Sequence, residues 1–332
     1  MITRRILTLV LAGLLAAAAG VPAGTARAGE RTWQVASGAD SADHAVQLLD
    51  FFPRTITINV GDAVTWTNEA ADHTVTFLSG AKPPLPDIRQ PDGRVLFNPL
   101  VAFPQGGPTY DGTGIASSGL LQGPGKTWTL RFTKPGRYTY VCLLHPAMVG
   151  TVVVRPADQP VAATQAEYDR QAAQQREAEL AAGKNLLEAT RPAKQGTVYT
   201  LRMVGNPKER VALYRFGADV LRVHVGDTVR WVIEDPDEIH TVTFPGSGQV
   251  PPFIVPEPQP QGPPKLYENP QVVAPAGGPV HRGTGYYNSG ILVPAPLPGP
   301  HTYELRFTKR GTFTYWCVVH VPEGMRGTVI VQ

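Results

Sequence analysis

The residues best able to do chemistry in this chain come in two matching sets. Cys142, His145 and Met148 share one short stretch, Cys142-Leu-Leu-His145-Pro-Ala-Met148. Cys317, His320 and Met325 share another, Cys317-Val-Val-His320-Val-Pro-Glu-Gly-Met325. A further histidine stands far upstream of each, His73 and His240. Two imidazoles and a thiolate, with a thioether at long range, are the donor set of a blue-copper site. The spacing has a geometric reason. The Cys leaves the end of one strand, a tight turn brings the His beside it, and the Met begins the next strand. The remote His closes the site from another strand edge. A site built on rigid strand ends changes little as copper cycles between Cu(II) and Cu(I).

Blander readings exist for each residue alone. A buried Cys is usually a small hydrophobe, and a Met after a turn is usually core. Here the pattern occurs twice, and both cysteines of the chain fall in it. A Cys142–Cys317 disulfide would require corresponding core strands of separate domains to meet within bonding reach. Zinc accepts two His and a Cys but rarely a Met. The reading is two copper ions, one per set.

The elements that must position these residues repeat as well. Arg131 to Cys142 matches Arg306 to Cys317, an offset of 175, and Val60-Gly61-Asp62 through Trp66 matches Val225-Gly226-Asp227 through Trp231, an offset of 165. His73 to Phe77 matches His240 to Phe244 at 167, and Gly112-Thr113-Gly114 matches Gly283-Thr284-Gly285 at 171. The order is conserved between the halves and the offset drifts only through loop insertions, so the chain is a duplicated domain. Apolar and polar residues alternate over residues 55–60 and 128–132, punctuated by Gly and Pro. Period 2 with such punctuation predicts antiparallel sheets packed as a sandwich. By the same period Tyr138 and Tyr140, like Phe313 and Tyr315, share a face with their Cys and should be core.

The expected organisation is a signal peptide over 1–28, one domain over 31–155, a helical linker over 156–194 and a second domain over 195–332. In the linker, Thr164-Gln-Ala-Glu167 is a capping-box pattern, followed by Ala, Gln, Glu and Arg to about Leu187. Gly183 is a candidate break in that helix. Residues 79–125 and 245–300 form long irregular insertions between remote His and Cys, the second holding 15 of the 33 prolines.

Arg4 and Arg5, the apolar run from Ile6 to Gly20 and Ala26-Arg27-Ala28 compose a secretory signal cleaved near Ala28. The arginine pair leaves Sec and twin-arginine export both open. No later segment is apolar enough to span a bilayer. The expectation is an exported protein, periplasmic or extracellular. Net charge is +3, but the first 28 residues hold three of the 30 basic residues and none of the 27 acids. The rest is formally neutral, which argues against a nucleic-acid binder.

Both repeats resemble cupredoxins, the plastocyanin, amicyanin and azurin superfamily of blue copper proteins. The first loop, with His145-Pro146, is most similar to amicyanin, and the longer second loop to plastocyanin and pseudoazurin. The resemblance implies an all-β chain of two eight-stranded Greek-key sandwiches in tandem. It implies single-electron transfer with redox partners such as a c-type cytochrome or a respiratory or dehydrogenase complex. It also implies that Thr74 and Thr241, which follow the remote histidines, brace the Cys loops by hydrogen bonds. Finally, His145 and His320 should pierce an apolar surface and admit electrons there, unless the Pro-rich insertions cover them.

Two-domain cupredoxin chains also include nitrite reductases and laccases. Those need further histidines around the Cys, but Cys142 lies between Val141 and Leu143 and Cys317 between Trp316 and Val318. His44, His224, His281 and His301 are scattered. Copper storage or delivery favours open Met- or Cys-rich sites, whereas each set here has a single Met. The sequence therefore favours an electron carrier with no catalytic residue over an enzyme.

Overall fold

The computed structural model describes residues 31–295 and 297–332. The signal peptide expected over 1–28 lies outside the described residues. The rest is all-β but for one long helix and two single-turn helices.

The first sandwich has one sheet ordered Val46–Phe52, Thr32–Asp40, Ala63–Asn68, Thr127–Phe132, Thr109–Tyr110. Its second sheet runs Thr55–Asn59, Val149–Arg155, Gly136–Val141, Thr76–Phe77, Ala116–Ser117. The second sandwich repeats this plan. One sheet runs Val211–Leu213, Val198–Asn206, Thr228–Glu234, Thr302–Phe307, Val280–His281, and the other Val220–Val223, Arg326–Val331, Gly311–Trp316, Thr243–Phe244, Tyr287–Asn288. Eight strands of each sandwich form the expected frame; the two-residue strands at the edges come from the long insertions.

The sheets are mixed rather than antiparallel throughout. Thr32–Asp40 runs parallel to Ala63–Asn68, and Thr55–Asn59 parallel to Val149–Arg155. Chain that crosses between sheets, instead of turning back as a hairpin, returns in the same direction beside its neighbour. Alternation marks strands but carries no information on direction.

Aromatic packing fills both cores alike. Trp66 meets Phe77 and Tyr140 edge-on at 5.8 and 5.2 Å between ring centres, and Trp231 meets Phe244 and Tyr315 at 5.9 and 5.2 Å. Tyr140 and Tyr315 are fully buried, while Tyr138 and Phe313 are half-buried against the cores.

The sandwiches share one continuous sheet. Edge strands Val46–Phe52 and Val211–Leu213 pair antiparallel, with Gln47 opposite Ala212. These two residues are counterparts at the repeat offset of 165. A local two-fold axis therefore passes between them, as at an isologous dimer interface.

The helix Gln165–Ala189 begins on the expected capping box, with Thr164 and Glu167 bonded reciprocally. It is unbroken at Gly183. A Cβ there would lie 2.2 Å from Val46 Cγ1, so glycine allows the helix to sit directly on the edge strand. The helix is a strap across the junction, touching both paired edge strands. Tyr168 bonds Thr57 through its hydroxyl, Gln175 donates to Asp50 and Phe51, and Glu179 pairs with Arg54.

The long insertions are partly ordered as sheet. Asp87–Arg89 and Val95–Phe97 from the first join Lys265–Glu268 and Ile254–Glu257 from the second, with Leu96 opposite Tyr267. The Arg94 guanidinium lies 3.9 Å over the Tyr267 ring and pairs with Glu257 at 2.7 Å. The Pro-rich segments thus make a second bond between the domains.

Candidate metal centres

Strand Gly136–Val141 delivers Cys142 to the end of the first sandwich. The loop then folds on its own backbone: the Cys142 N–H donates to Met148 O at 3.0 Å, and the Met148 N–H to His145 O at 2.9 Å. In the longer second loop the Cys317 N–H reaches Met325 O and the Met325 N–H reaches His320 O, both at 3.1 Å. Its additional residues close through Gly324, at a φ of 77°, whose N–H donates to Val321 O. His73 and His240 are held by backbone bridges to Leu121 and Leu292. Gly38, at a φ of 70°, lies behind His73, where a Cβ would come 2.2 Å from Nε2.

Three donors converge in each domain. In the first, Cys142 Sγ lies 3.5 Å from His145 Nδ1 and 3.8 Å from His73 Nδ1, and the two Nδ1 atoms are 3.0 Å apart. In the second, Cys317 Sγ lies 3.4 Å from His320 Nδ1 and 3.7 Å from His240 Nδ1. A three-coordinate ion about 2.0–2.3 Å from nitrogen and sulfur donors requires edges of about 3.5 Å. The residues therefore fit the metal the sequence suggested. Met148 and Met325 are fully buried in the same core clusters as their cysteines.

The electrostatics suit a thiolate. Burial opposes ionisation of Cys142, but the imidazoles of His145 and His73 overcome it and hold the thiol well below its usual range. Cys317 is held low in the same way by His320 and His240. Both cysteines are free.

Thr74 and Thr241 lie against the cysteine loops. Each accepts a bond at its hydroxyl, from the Leu143 N–H at 2.7 Å and the Val318 N–H at 2.8 Å. Their own N–H groups point to Cys142 and Cys317 Sγ, both at 3.4 Å. Hydrogen bonds of this kind would orient the cysteine ligand if a metal were bound.

The expectation that His145 and His320 open to an outside surface is wrong. Each is only 5% exposed. His145 is covered by Glu238 of the other domain, whereas His320 packs on Tyr214 and Glu238 of its own. The two loop histidines meet across the interface at one carboxylate: His145 Nε2 lies 3.1 Å from Glu238 Oε1, and His320 Nε2 lies 3.3 Å from Glu238 Oε2. Burial would raise this carboxyl, but the charge and hydrogen bonds of His145 and then His320 hold it well below the usual range. Tyr214 donates to Glu238 Oε1 at 3.3 Å and stacks on His320, with ring centres 4.3 Å apart. Gln47 meets His73 Nε2 at 3.4 Å.

Sequence reasoning missed Glu238, Tyr214 and Gln47. One signal was available for the first: the segment from Trp231 to His240 is two residues longer than its counterpart from Trp66 to His73.

The geometry defines an all-β protein with two copper-type donor sets. Comparison with known proteins makes this more specific. The sequence profile of copper-binding proteins of the plastocyanin/azurin family matches residues 38–155. Amicyanin-alpha of Methylorubrum extorquens is 31% identical over 147 residues, covering 44% of this chain and 97% of that protein. The chloroplastic plastocyanin of Tetradesmus obliquus is 33% identical over 121 residues, covering 36% of this chain and 63% of that one. A solved Cu(I) amicyanin variant is 18% identical, covering 42% of this chain and 85% of that one, at a TM-score of 0.25. The chain belongs to the plastocyanin/azurin family of copper-binding proteins, and its two His–Cys–His groups could hold two copper ions.

Proposed function

We propose that this chain is an exported blue-copper protein that carries single electrons between redox partners, with one copper on each side of its domain interface. His73, Cys142, His145 and Met148 hold the first, and His240, Cys317, His320 and Met325 the second. The observation that carries the reading is the convergence of two Nδ1 atoms and a thiolate sulfur within 3.8 Å in a buried pocket of the first domain, with the same donors converging in the second. Copper held there supplies a one-electron Cu(II)/Cu(I) couple. The protein's own residues fix the donors, exclude water and keep the thiol ionised.

The remaining histidines favour a carrier over a multicopper enzyme. His44 pairs with Asp40, and His224 is exposed beside Asp227. His281 stacks among Tyr287 and Phe307, and His301 bonds the Val293 carbonyl. Among the described residues, no third group of His, Cys, Asp and Glu donors converges as these two do. Export rests on the first 28 residues, and no helix among the described residues is long and apolar enough to cross a membrane.

A copper count with a visible spectrum tests this. The proposal expects two coppers per chain and intense thiolate charge-transfer absorption. A third copper would favour the enzyme, and a colourless loaded protein would remove the blue-copper assignment.

A further inference from the structure

The geometry points to Glu238 as the residue that joins the two sites into one internal electron path. This rests on reading both His–Cys–His groups as copper sites. Each loop histidine turns Nδ1 toward its own cysteine sulfur, at 3.5 Å for His145 and 3.4 Å for His320. With Nδ1 given to a metal, Nε2 keeps the ring proton. Both Nε2–H groups then meet one carboxylate, and each takes its own oxygen: Oε1 for His145 at 3.1 Å and Oε2 for His320 at 3.3 Å.

The arrangement is specific. Glu238 is 5% exposed, and a buried carboxylate is costly unless hydrogen-bonded and paired. Its partners are the two ligand histidines and Tyr214, whose ring also fixes His320 by stacking. The bridge is not a by-product of duplication. Counting back from each remote His, Ala71 stands where Glu238 does, and Leu49 is the counterpart of Tyr214. Ala71 and Leu49 pack into the second domain's core. One bridging acid serves a junction that lies on a local two-fold axis.

The path runs through one imidazole, a hydrogen bond, the three carboxylate atoms, a second hydrogen bond and the other imidazole. Side chains span it without a gap. With copper in both sites, one electron would pass from Cu(I) at one to Cu(II) at the other, and no proton or covalent bond would move. Because both loop histidines are sealed at the interface, they serve exchange within the chain rather than contact with a partner. Glu238 is a positioning residue, acting through the imidazoles.

The test uses the full chain loaded with copper. Flash photoreduction by a small-molecule donor is followed for the absorbance phase whose rate is independent of protein concentration. The wild type is compared with Glu238→Ala and Glu238→Gln. The Gln amide offers one acceptor oxygen, and its NH2 cannot accept from the second ring. Wild type should show the phase, and both variants should slow it by about 10- to 100-fold while still holding two coppers, the usual scale for a lost outer partner. Equal rates in all three proteins overturn the bridge. Wild type that binds no copper, or stays colourless, overturns the site reading instead. If both variants shed copper, nitrogen-resolved NMR of Cu(I)-loaded wild type decides. Two exchange-protected Nε2–H protons, on His145 and His320, support the bridge, and the lack of either overturns it.

Discussion

In the first domain Nε2 of the remote histidine, His73, meets the side-chain amide of Gln47; in the second, Nε2 of His240 is buried with no hydrogen-bond partner. With Nδ1 given to a metal, His73 Nε2 would keep the ring proton. The Gln47 oxygen, which has no other partner, is the group suited to accept it. The counterpart of Gln47 is Ala212, directly opposite it on the paired edge strands. Meanwhile the second domain alone supplies Glu238 and Tyr214 to the junction. The donors are the same in both domains, but the groups behind them have diverged. The two sites should therefore differ in potential and stability although the same atom types would bind the metal.

The most severe way to break this comparison is to remove a thiolate. Cys142→Ser should lower the copper count from two to one and leave the second site's colour, and Cys317→Ser should do the converse. Loss of both coppers in either variant would show that the sites are not independent in binding.

Acid should separate the domains next. His281 is stacked in the second core, and burial lowers its pKa to about 4. Its folded value lies below the unfolded one, near 6.5. Its contribution is therefore complete above pH 6.5 and is lost as pH falls toward 4, by up to about 3 kcal/mol at about 1.4 kcal/mol per unit. The first domain carries Tyr110 at this place. Calorimetry of His281→Tyr should show a flatter dependence over that window, with no change above pH 7.

Thr74→Val and Thr241→Val leave the buried N–H of Leu143 or Val318 unpaired, and each should cost about 1–2 kcal/mol by denaturant titration. The smallest effect sharpens the contrast most directly. Gln47→Ala makes the first site resemble the second; it should cost about 1 kcal/mol and narrow the difference between the two potentials in voltammetry. Unaltered potentials would assign the difference to loop length instead.

The duplication, the sandwich class, the capping box at Thr164 and the two converging sets of two His and one Cys were legible because each leaves a local pattern: a period, a cap or a repeated spacing. What stayed hidden depends on how two domains meet. The pairing of Gln47 with Ala212 requires two edge strands distant in sequence to find each other, and neither strand announces its partner. Glu238 reads as one acid in the polar run Asp235-Pro-Asp-Glu, and nothing local says that it is buried between two histidines. The apolar neighbours of His145 and His320 were legible, but the surface they cover was not. Leu144 and Val319 are half-buried against their own domains' cores, while the imidazoles face the junction. Gly183 illustrates the same limit. Within the helix it looks like a break, and only contact with Val46 reveals it as a packing position.

The central claim is that two copper sites face one another across a single carboxylate inside one chain. Electron paramagnetic resonance of the fully oxidised, frozen protein tests it most directly. The account predicts two type 1 signals per chain with a dipolar coupling that survives dilution and disappears in Cys142→Ser or Cys317→Ser. Two uncoupled signals, or one copper per chain, would contradict it.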